Sequence, residues 1–252
     1  MNRAAFFAAL RARESGVFGT SLSQAQVNGI EAILSVGEGL PLSHMAYALA
    51  TAYGETGGRM QPIVENMNYT STGRLRTVWP SRFKSDADAA PYVRQPEKLA
   101  NLVYAGRMGN TQAGDGWRYR GRGLVQITGR DNYAKVGRLV GVDLVADPDA
   151  SLDLWVAARA LIYGIRDGIY TGKKASDYLP GDYVNARRII NGTFEAAKYA
   201  GYARAFDAAL VAGGYAPAQR PTQPQAVTTP ETKAGPWAAI LALLARIFGG
   251  KA

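Results

Sequence analysis

The sequence predicts a mainly α-helical domain with a minor β element over residues 1–213. Apolar residues recur there at the three- and four-residue intervals of amphipathic helices, in one segment after another. Only residues 124–128, Leu-Val-Gln-Ile-Thr, form a tidy strand-like run. Glycines and prolines separate the periodic segments and mark the loops between them. The pattern therefore indicates one helical domain.

The first two predicted helices lie close to the N-terminus. Residues 4–10 form an apolar run that faintly imitates a secretory signal, but charged residues follow it without a small-residue cleavage site. We therefore interpret this run as an amphipathic helix. Ser23 and Gln26 have the spacing of a capping box, and apolar residues follow them at helical intervals, which predicts the second helix.

The third predicted helix begins after Pro41 and ends at the two glycines at 57–58. Because each residue advances a helix by 100°, Ala48, Thr51 and Glu55 fall on the face opposite the apolar stripe. We therefore expect Glu55 to point away from the deepest packing and toward a groove above the helix.

The rest of the domain alternates loops and helices. Residues 59–96 contain four prolines and are interpreted as loop-rich. Pro96 opens a short helix through Tyr104, since proline suits the first helical turn. A glycine-dense loop follows over residues 106–123. Helical periodicity resumes at residues 132–140, 152–165, 183–190 and 196–211.

The composition changes after residue 213. Residues 214–235 are rich in proline, glutamine, threonine and alanine, which predicts a semi-extended linker. Residues 236–252 predict a short, apolar and cationic C-terminal helix. This segment is shorter than the roughly 20 apolar residues that cross a bilayer, but it could lie on an anionic membrane surface. Docking of this helix on the main domain is the alternative.

Charge and composition limit the classes of function. The net charge of +9 favours a polyanionic partner, such as nucleic acid, an anionic membrane or an acidic cell-wall polymer. The absence of cysteine excludes disulfides, thiolate zinc sites and cysteine nucleophiles. A single histidine, His44, argues against a zinc site, and no Gly-x-Ser-x-Gly motif is present. We predict no metal and no cofactor.

Two glutamates are the candidate catalytic residues. Glu55 ends an apolar helix in Tyr-Gly-Glu-Thr-Gly-Gly, and Glu65 lies in the following loop, Glu-Asn-Met-Asn-Tyr. A carboxyl at a helix end that faces a cleft can stay protonated, whereas one in a wet, amide-rich loop stays ionised. Cleavage of a glycosidic bond needs this pairing of an acid with a base. The alternative for Glu55 is an exposed glutamate at a helix end without a catalytic role.

Residues 114–123 mix glycine, arginine and aromatic residues. Such a loop could bind single-stranded nucleic acid by stacking and charge. It could equally line a saccharide cleft, with Trp117 and Tyr119 as flat apolar platforms and arginines such as Arg122 holding carboxylates. A phosphate-binding loop would need a lysine followed by serine or threonine, which is missing. The loop alone leaves the first two interpretations open.

Five stretches of the chain carry a specific resemblance. They are residues 46–58, 65–70, 103–110, 114–133 and 189–192. In this order they resemble the motifs of glycoside hydrolase family 19, which includes plant-type chitinases and many phage endolysins. The resemblance extends over roughly residues 40–210 and is strongest in residues 114–133. It implies a lysozyme-like helical domain with a central cleft.

The resemblance also implies roles for individual residues. Glu55 corresponds to the general acid, Glu65 to the general base, and Thr128 to the residue that holds the attacking water. The family inverts the anomeric carbon without a metal, so the two carboxyls should lie about 6.5–9.5 Å apart. The sugar-contacting positions implied are Gln126, Asn132 and Asn191.

Three features depart from the family pattern. Gly54 stands where the family usually has a histidine before the acid, and Thr193 replaces a glycine after Ile-Asn-Gly. The spacing of ten residues from acid to base is shorter than in plant chitinases and similar to that of the phage branch. The assignment of Glu65 therefore rests on fewer matching features than that of Glu55.

The sequence thus predicts an endolysin-type peptidoglycan hydrolase that cleaves β-1,4 bonds of the glycan strand. The phage-like motifs, the missing cysteines and the positive charge favour murein, and a chitinase on the same fold is the alternative. A lytic transglycosylase, which needs one glutamate, is a second enzymatic alternative, and a nucleic-acid-binding protein is the non-enzymatic one. We expect a monomer without a nucleic-acid partner. We expect it to be made in a host cytoplasm without a signal peptide and to act on the cell wall in the periplasm after release.

Overall fold

The computed structural model describes residues 1–217, and the structural statements below refer to this part of the chain. Most of the predicted linker over residues 214–235, and all of the helix predicted for residues 236–252, lie outside the described residues. Within residues 1–217, no helix has the length and apolar character needed to cross a membrane.

Within the described range the chain forms ten α-helices and one small sheet, which confirms the mainly α fold class. The two strands, β1 (Ile63–Val64) and β2 (Arg122–Gly123), pair antiparallel. The helices are α1 (Arg3–Arg11), α2 (Gln24–Val36), α3 (Leu42–Glu55), α4 (Thr72–Val78), α5 (Asp86–Ala89), α6 (Pro96–Tyr104), α7 (Asp115–Arg118), α8 (Arg130–Val140), α9 (Leu154–Asp167) and α10 (Ala196–Ala212).

The predicted start signals of α2 and α6 are confirmed. Ser23 accepts a hydrogen bond from the backbone N–H of Gln26 at 3.2 Å, and its own N–H donates to the Gln26 side chain at 2.7 Å. This reciprocal pair satisfies two donors that a helix N-terminus would otherwise leave without partners. Helix α6 begins at Pro96 and ends at Tyr104, the predicted bounds.

The strand prediction for residues 124–128 is wrong. Only Arg122 and Gly123 belong to β2, and Arg122 forms an isolated bridge back to Ile127. The chain turns between these two residues because Gln126 adopts a positive φ of 54°, in the left-handed region that an extended strand does not visit. The apolar run is therefore a buried turn beside the sheet.

Two further predictions need correction. The helix predicted over residues 183–190 is a short 3₁₀ segment, Asn185–Ile189. The region predicted to be loop-rich contains α4 and α5, whose first turns are capped by serine side chains. Ser71 accepts from the backbone N–H of Arg74 at 3.3 Å, and Ser85 forms a capping box with Asp88. These local hydrogen bonds stabilise helices too short to persist alone.

The buried apolar residues form two clusters. The larger cluster is built by α1, α2, α3, α8, α9 and α10, with α3 packed most extensively on α10. The smaller cluster is contributed by α4, α5, α6 and the neighbouring loops. Helix α3 runs through the larger cluster, so Ala48 and Thr51 are 1% and 0% exposed. The expectation that this face of α3 borders a groove is wrong for these two residues, because every residue of α3 from 45 to 52 is buried.

Candidate active site

Side-chain hydrogen bonds fix the turn that follows Glu55 at the end of α3. The hydroxyl of the buried Thr56 donates to the carbonyl four residues earlier at 2.7 Å and accepts from the backbone N–H of Met60 at 3.0 Å. From α2, the side chain of Gln26 donates to the carbonyl of Gly58 at 2.9 Å. These contacts fix the turn that follows the helix, and they therefore fix the backbone from which Glu55 projects.

The carboxyl group of Glu55 is held by two residues from the C-terminal part of the domain. Arg187 Nη1 lies 2.7 Å from Glu55 Oε1, and the Tyr199 hydroxyl donates to the same oxygen at 3.0 Å. The side chains of Arg187 and Glu55 are only 2% and 16% exposed. The Arg187 guanidinium also stacks on the Tyr199 ring, 3.7 Å from its centroid. No described residue donates a hydrogen bond to Glu55 Oε2.

Gly54 allows Tyr199 to reach Glu55. A Cβ atom on residue 54 would lie 2.5 Å from Cζ and 2.8 Å from the hydroxyl of Tyr199, closer than real Cβ contacts. A histidine, the usual family residue at this position, therefore cannot fit unless the Tyr199 ring moves away. In this chain a phenol from α10 occupies the space beside the acid that a side chain on α3 would otherwise take.

Glu65 is held by the loop before β2 and by the end of α6. Its backbone N–H donates to the carbonyl of Gly121 at 2.8 Å. In its side chain, Oε2 accepts from the Gly121 N–H at 3.2 Å, and Oε1 accepts from the Tyr104 hydroxyl at 2.7 Å. Burial and the negative charge of Glu65 raise the pKa of Tyr104, so the phenol keeps its proton and remains a donor. Both carboxyl oxygens of Glu65 thus act as acceptors.

Three of the predicted site residues form a connected chain beside Glu65. Gln126 donates from Nε2 to the carbonyl of Ile63 in β1 at 3.2 Å. The Thr128 hydroxyl donates to the carbonyl of Gln126 at 3.0 Å, and Asn132 Nδ2 donates to the carbonyl of Thr128 at 2.7 Å. The Thr128 proton is directed to the backbone, so its oxygen lone pairs remain available as acceptors.

Two predicted sugar-binding residues lie in the protein interior instead. Tyr119 and Arg122 are 3% and 4% exposed. The Tyr119 hydroxyl donates to the carbonyl of Val145 at 3.2 Å, and Arg122 Nε forms an ion pair with Asp149 at 2.7 Å. Their polar groups are engaged with the protein, and neither side chain forms a hydrogen bond with Glu55 or Glu65.

The remaining two predicted residues lie at the surface. Trp117 is partly exposed, packs against the smaller apolar cluster and carries the guanidinium of Arg120 on its ring. Asn191 is exposed and follows the 3₁₀ segment, where its N–H donates to the carbonyl of Arg187 at 3.0 Å. Asn191 is therefore hydrogen-bonded to the backbone of Arg187, which supports Glu55. Trp117 lies in α7, just before the segment whose Gly121 holds Glu65.

Three residues that hold the glutamates were missed by the sequence analysis: Arg187, Tyr199 and Tyr104. Arg187 lies two residues before the Ile-Ile-Asn-Gly motif, and Tyr104 lies within the recognised stretch 103–110. Tyr199 lies in none of the recognised stretches. Their pairing with Glu55 and Glu65 follows from the fold.

The site contains no metal-binding cluster. Within the described residues, no group of three or more histidine, aspartate or glutamate side chains is arranged to hold an ion. The groups around Glu55 are a guanidinium and a phenol, and those around Glu65 are a phenol and a backbone amide.

A helical domain that presents two separately supported glutamates is the class of structure found among glycoside hydrolases. The sequence model of glycoside hydrolase family 19, described as "Chitinase class I", matches residues 45–206. This range is more than half of the chain and contains both glutamates, Thr128 and Arg187. The chain belongs to glycoside hydrolase family 19.

One curated relative has a closely related sequence. A protein of Haemophilus influenzae, named "Glycosyl hydrolase family 19 domain-containing protein", is 44% identical over 114 residues. The match covers 44% of this chain and 56% of the relative, so it spans about half the length of that protein. The shared segment supports the family assignment.

Two solved structures align with most of this chain. A crystal structure of a mutant of chitinase C has a TM-score of 0.45 and 16% identity, covering 86% of this chain and 79% of that one. Chitinase C from Streptomyces griseus HUT6037 has a TM-score of 0.39 and 14% identity, covering 84% of this chain and 95% of that one. The family assignment itself rests on the sequence matches.

Proposed function

We propose that the protein hydrolyses β-1,4 glycosidic bonds of peptidoglycan glycan strands, with inversion at the anomeric carbon, as an endolysin does. The observation that carries this proposal is the different support of the two glutamates. Glu55 has one oxygen fixed by Arg187 and Tyr199 and the other without a partner among the described residues, whereas both oxygens of Glu65 accept hydrogen bonds. The first arrangement suits a proton donor and the second suits a base.

In the proposed first event, Glu55 gives a proton from Oε2 to the leaving glycosidic oxygen. Because Oε1 is anchored by Arg187 and Tyr199, the orientation of Oε2 is defined before the substrate arrives. Proton transfer leaves a negative charge on Glu55, which the adjacent guanidinium stabilises in a partly buried environment. Because Arg187 favours the ionised form of Glu55, it makes the carboxyl a stronger acid once the group is protonated.

In the same step, Glu65 removes a proton from the attacking water. Tyr104 and the Gly121 N–H orient the carboxylate, and the lone pairs of Thr128 offer the water a second hydrogen-bond partner. The water attacks the anomeric carbon from the face opposite the leaving group, so the configuration inverts. This mechanism requires the two carboxyls to stand about 6.5–9.5 Å apart, with the sugar and the water between them.

Murein is proposed as the substrate because the chain is strongly basic. The net charge of +9 attracts the anionic polymer of the cell wall and raises its local concentration near the enzyme. Chitin is uncharged and gains nothing from this field. Chitin remains the second candidate substrate, since the matching family model is described as "Chitinase class I".

Digestion of purified murein and of chitin, followed by mass spectrometry of the products, tests the proposal. We expect products from murein that have gained one water per cleaved bond. Glu55→Gln and Glu65→Gln should each lower the rate by about 10²–10⁴-fold, the usual contribution of a general acid or base. Glu97→Gln is the matched control, because Glu97 is an exposed glutamate in the first turn of α6.

Each alternative function gives a different result in the same assay. Anhydro sugar ends, with substantial activity left in Glu65→Gln, identify a lytic transglycosylase. Turnover of chitin alone identifies a chitinase. Salt-sensitive retention of DNA without turnover of either polymer identifies a nucleic-acid-binding protein. Any of these results contradicts the proposed function.

We further propose that the protein is made in the cytoplasm of a host cell, acts as a monomer, and reaches the wall after release. Residues 236–252 are apolar and carry Arg246 and Lys251, which supports contact with an anionic membrane surface.

A further inference from the structure

A cavity of about 510 Å³ lies beside the loop that holds Glu65. This volume is within the range of sites that hold small organic groups. Its walls combine one aromatic ring, three guanidinium groups and two carboxylates. The residues that supply these groups are Trp117, Arg118, Arg120, Arg122, Asp147 and Asp149.

The two acidic residues of this cavity are already engaged. Asp149 pairs with the buried Arg122 at 2.7 Å. Asp147 Oδ1 accepts from the backbone N–H groups of Asp149 and Ala150 at 3.1 and 3.3 Å. The charge of Asp149 is therefore balanced within the protein, and Asp147 caps the following 3₁₀ turn.

Arg118 and Arg120 remain without an acidic partner in the part of the chain that the structure describes. Arg118 is positioned by hydrogen bonds from Nη2 to the carbonyls of Val145 and Ala146. Arg120 stacks 3.6 Å above the Trp117 ring and donates from Nη1 to its carbonyl at 2.8 Å. The cavity thus has two fixed cations that form no ion pair with a carboxylate of the described chain.

Arg120 has an unsatisfied donor. Its Nε is buried and has no hydrogen-bond partner among the described residues. Burial and the positive charge of Arg122 lower the pKa of the Arg120 guanidinium, and the opposing charges of Asp149 and Glu65 only partly offset this effect. A buried donor without a partner is costly, and an anionic ligand would remove this cost.

The cavity and the candidate active site share one backbone segment, residues 120–122. Gly121 lies between Arg120 and Arg122, and its N–H donates to Glu65 Oε2. The negative charge of Glu65 also acts on Arg120. The cavity therefore adjoins the backbone segment that holds the proposed base.

We propose that this cavity binds carboxylate groups of the peptide stem carried by the murein glycan. The inference rests on the proposed function and adds a basis for substrate choice, since chitin has no such stems. Arg118 and Arg120 supply the charge-assisted hydrogen bonds, and the Trp117 ring supplies an apolar wall. Arg122, the arginine predicted to bind carboxylates, forms an ion pair with Asp149 instead.

The test compares one glycan in two forms. Murein strands with intact peptide stems, and the same strands after removal of the stems by an amidase, are digested by the wild type and by the double variant Arg118→Gln/Arg120→Gln. We expect the ratio of kcat/KM on stem-bearing to stem-free strands to fall by about tenfold, the factor for one lost charge-assisted hydrogen bond. Arg138→Gln, at an exposed arginine of α8, should leave the ratio unchanged.

A ratio that does not change overturns the proposal, whether the double variant is fully active or equally impaired on both forms. Binding of a soluble stem tripeptide, L-alanyl-γ-D-glutamyl-diaminopimelate, is measured in parallel by calorimetry. If the wild type cleaves no glycan, the proposed function fails, and this measurement decides the inference separately. At least fivefold weaker binding by the double variant supports the cavity as a carboxylate site. Equal binding, or binding of a DNA oligonucleotide in its place, overturns it.

Discussion

Tyr104 connects the proposed base to the end of α6 through one short hydrogen bond, 2.7 Å from hydroxyl to Glu65 Oε1. Replacing it in Tyr104→Phe removes the donor and leaves the ring. We expect kcat to fall by about tenfold, since a hydrogen bond to a charged group contributes about 1.5 kcal/mol or more. Because the pKa of Tyr104 is raised above its usual value near 10, the phenol stays protonated, and the loss should be constant from about pH 5 to 8.

The measurement for this variant is the pH profile of kcat on purified murein. Tyr178→Phe is the control, because Tyr178 is a partly buried tyrosine packed against the larger cluster, away from both glutamates. A loss that appears only at one end of this pH range contradicts a role for Tyr104 as a permanent donor.

Arg187 is the residue on which the support of Glu55 depends most. In Arg187→Met the partly buried carboxylate loses its ion-pair partner, so we expect the free energy of unfolding to fall by roughly 3 kcal/mol, with near-complete loss of activity. Urea denaturation gives the stability, and murein turnover gives the activity. The double variant Arg187→Met/Glu55→Gln should recover part of the stability, because no uncompensated charge remains. Additive losses in the double variant rule out the ion pair as the cause.

These contacts show why the two glutamates could be predicted from the sequence and their supporting residues could not. Glu55 and Glu65 stand in short motifs with recognisable neighbours, so they were identified as candidates. Their supports lie far away in the chain: Arg187 and Tyr199 are 132 and 144 residues from Glu55, and Tyr104 is 39 residues from Glu65. The local pattern of apolar residues does not indicate which distant side chains contact the two glutamates. These contacts form only when the chain folds and brings the C-terminal residues and the end of α6 to the glutamates.

At the scale of elements, the site depends on the close approach of α3 and α10 at Gly54. In Gly54→Ala the added Cβ would lie 2.5 Å from Tyr199 Cζ, so the ring must shift away from Glu55. We expect a loss of about 1–3 kcal/mol of stability, typical of overpacking, together with reduced kcat. Urea denaturation and turnover on murein are the two measurements.

Gly201→Ala is the matched control in the partner helix. A Cβ at position 201 meets no atom within 4 Å, and the residue lies inside α10. This variant should gain roughly 0.5–1 kcal/mol, because alanine loses less backbone entropy than glycine in a helix. If both variants behave alike, close packing at Gly54 is not the reason for its presence.

Some helices and strands were predicted from the sequence more accurately than others. Helices with a clear first turn, α2 and α6, were predicted well because capping and proline act locally. The apolar run at 124–128 was read as a strand because a buried turn and a buried strand have the same composition. Ser71 and Ser85 could have indicated α4 and α5, but the prolines around them favoured a loop.

At the scale of the whole molecule, the described domain extends slightly beyond its predicted end at residue 213. The Tyr215 hydroxyl donates to the carbonyl of Leu40 at 2.8 Å. A truncation that keeps this contact should therefore remove residues 218–252. We expect the truncated protein to retain its melting temperature and its activity on purified murein, while its action on intact cells weakens.

The comparison between isolated wall and living cells tests the proposed membrane contact of residues 236–252. A full-length variant with Arg246→Gln and Lys251→Gln removes the charge of this segment and keeps its apolar residues, so it separates electrostatic from hydrophobic contributions. Equal killing of cells by the truncated and full-length proteins contradicts the membrane proposal.

The distance in sequence between Glu55 and its supports has a consequence for biosynthesis. A ribosome that makes this chain completes α3 early, but Arg187 and Tyr199 emerge only after most of the domain has been translated. Nascent or prematurely terminated chains that stop before α10 contain the acid without its anchor. Under the proposed function, glycan cleavage therefore requires translation at least as far as Tyr199 in α10.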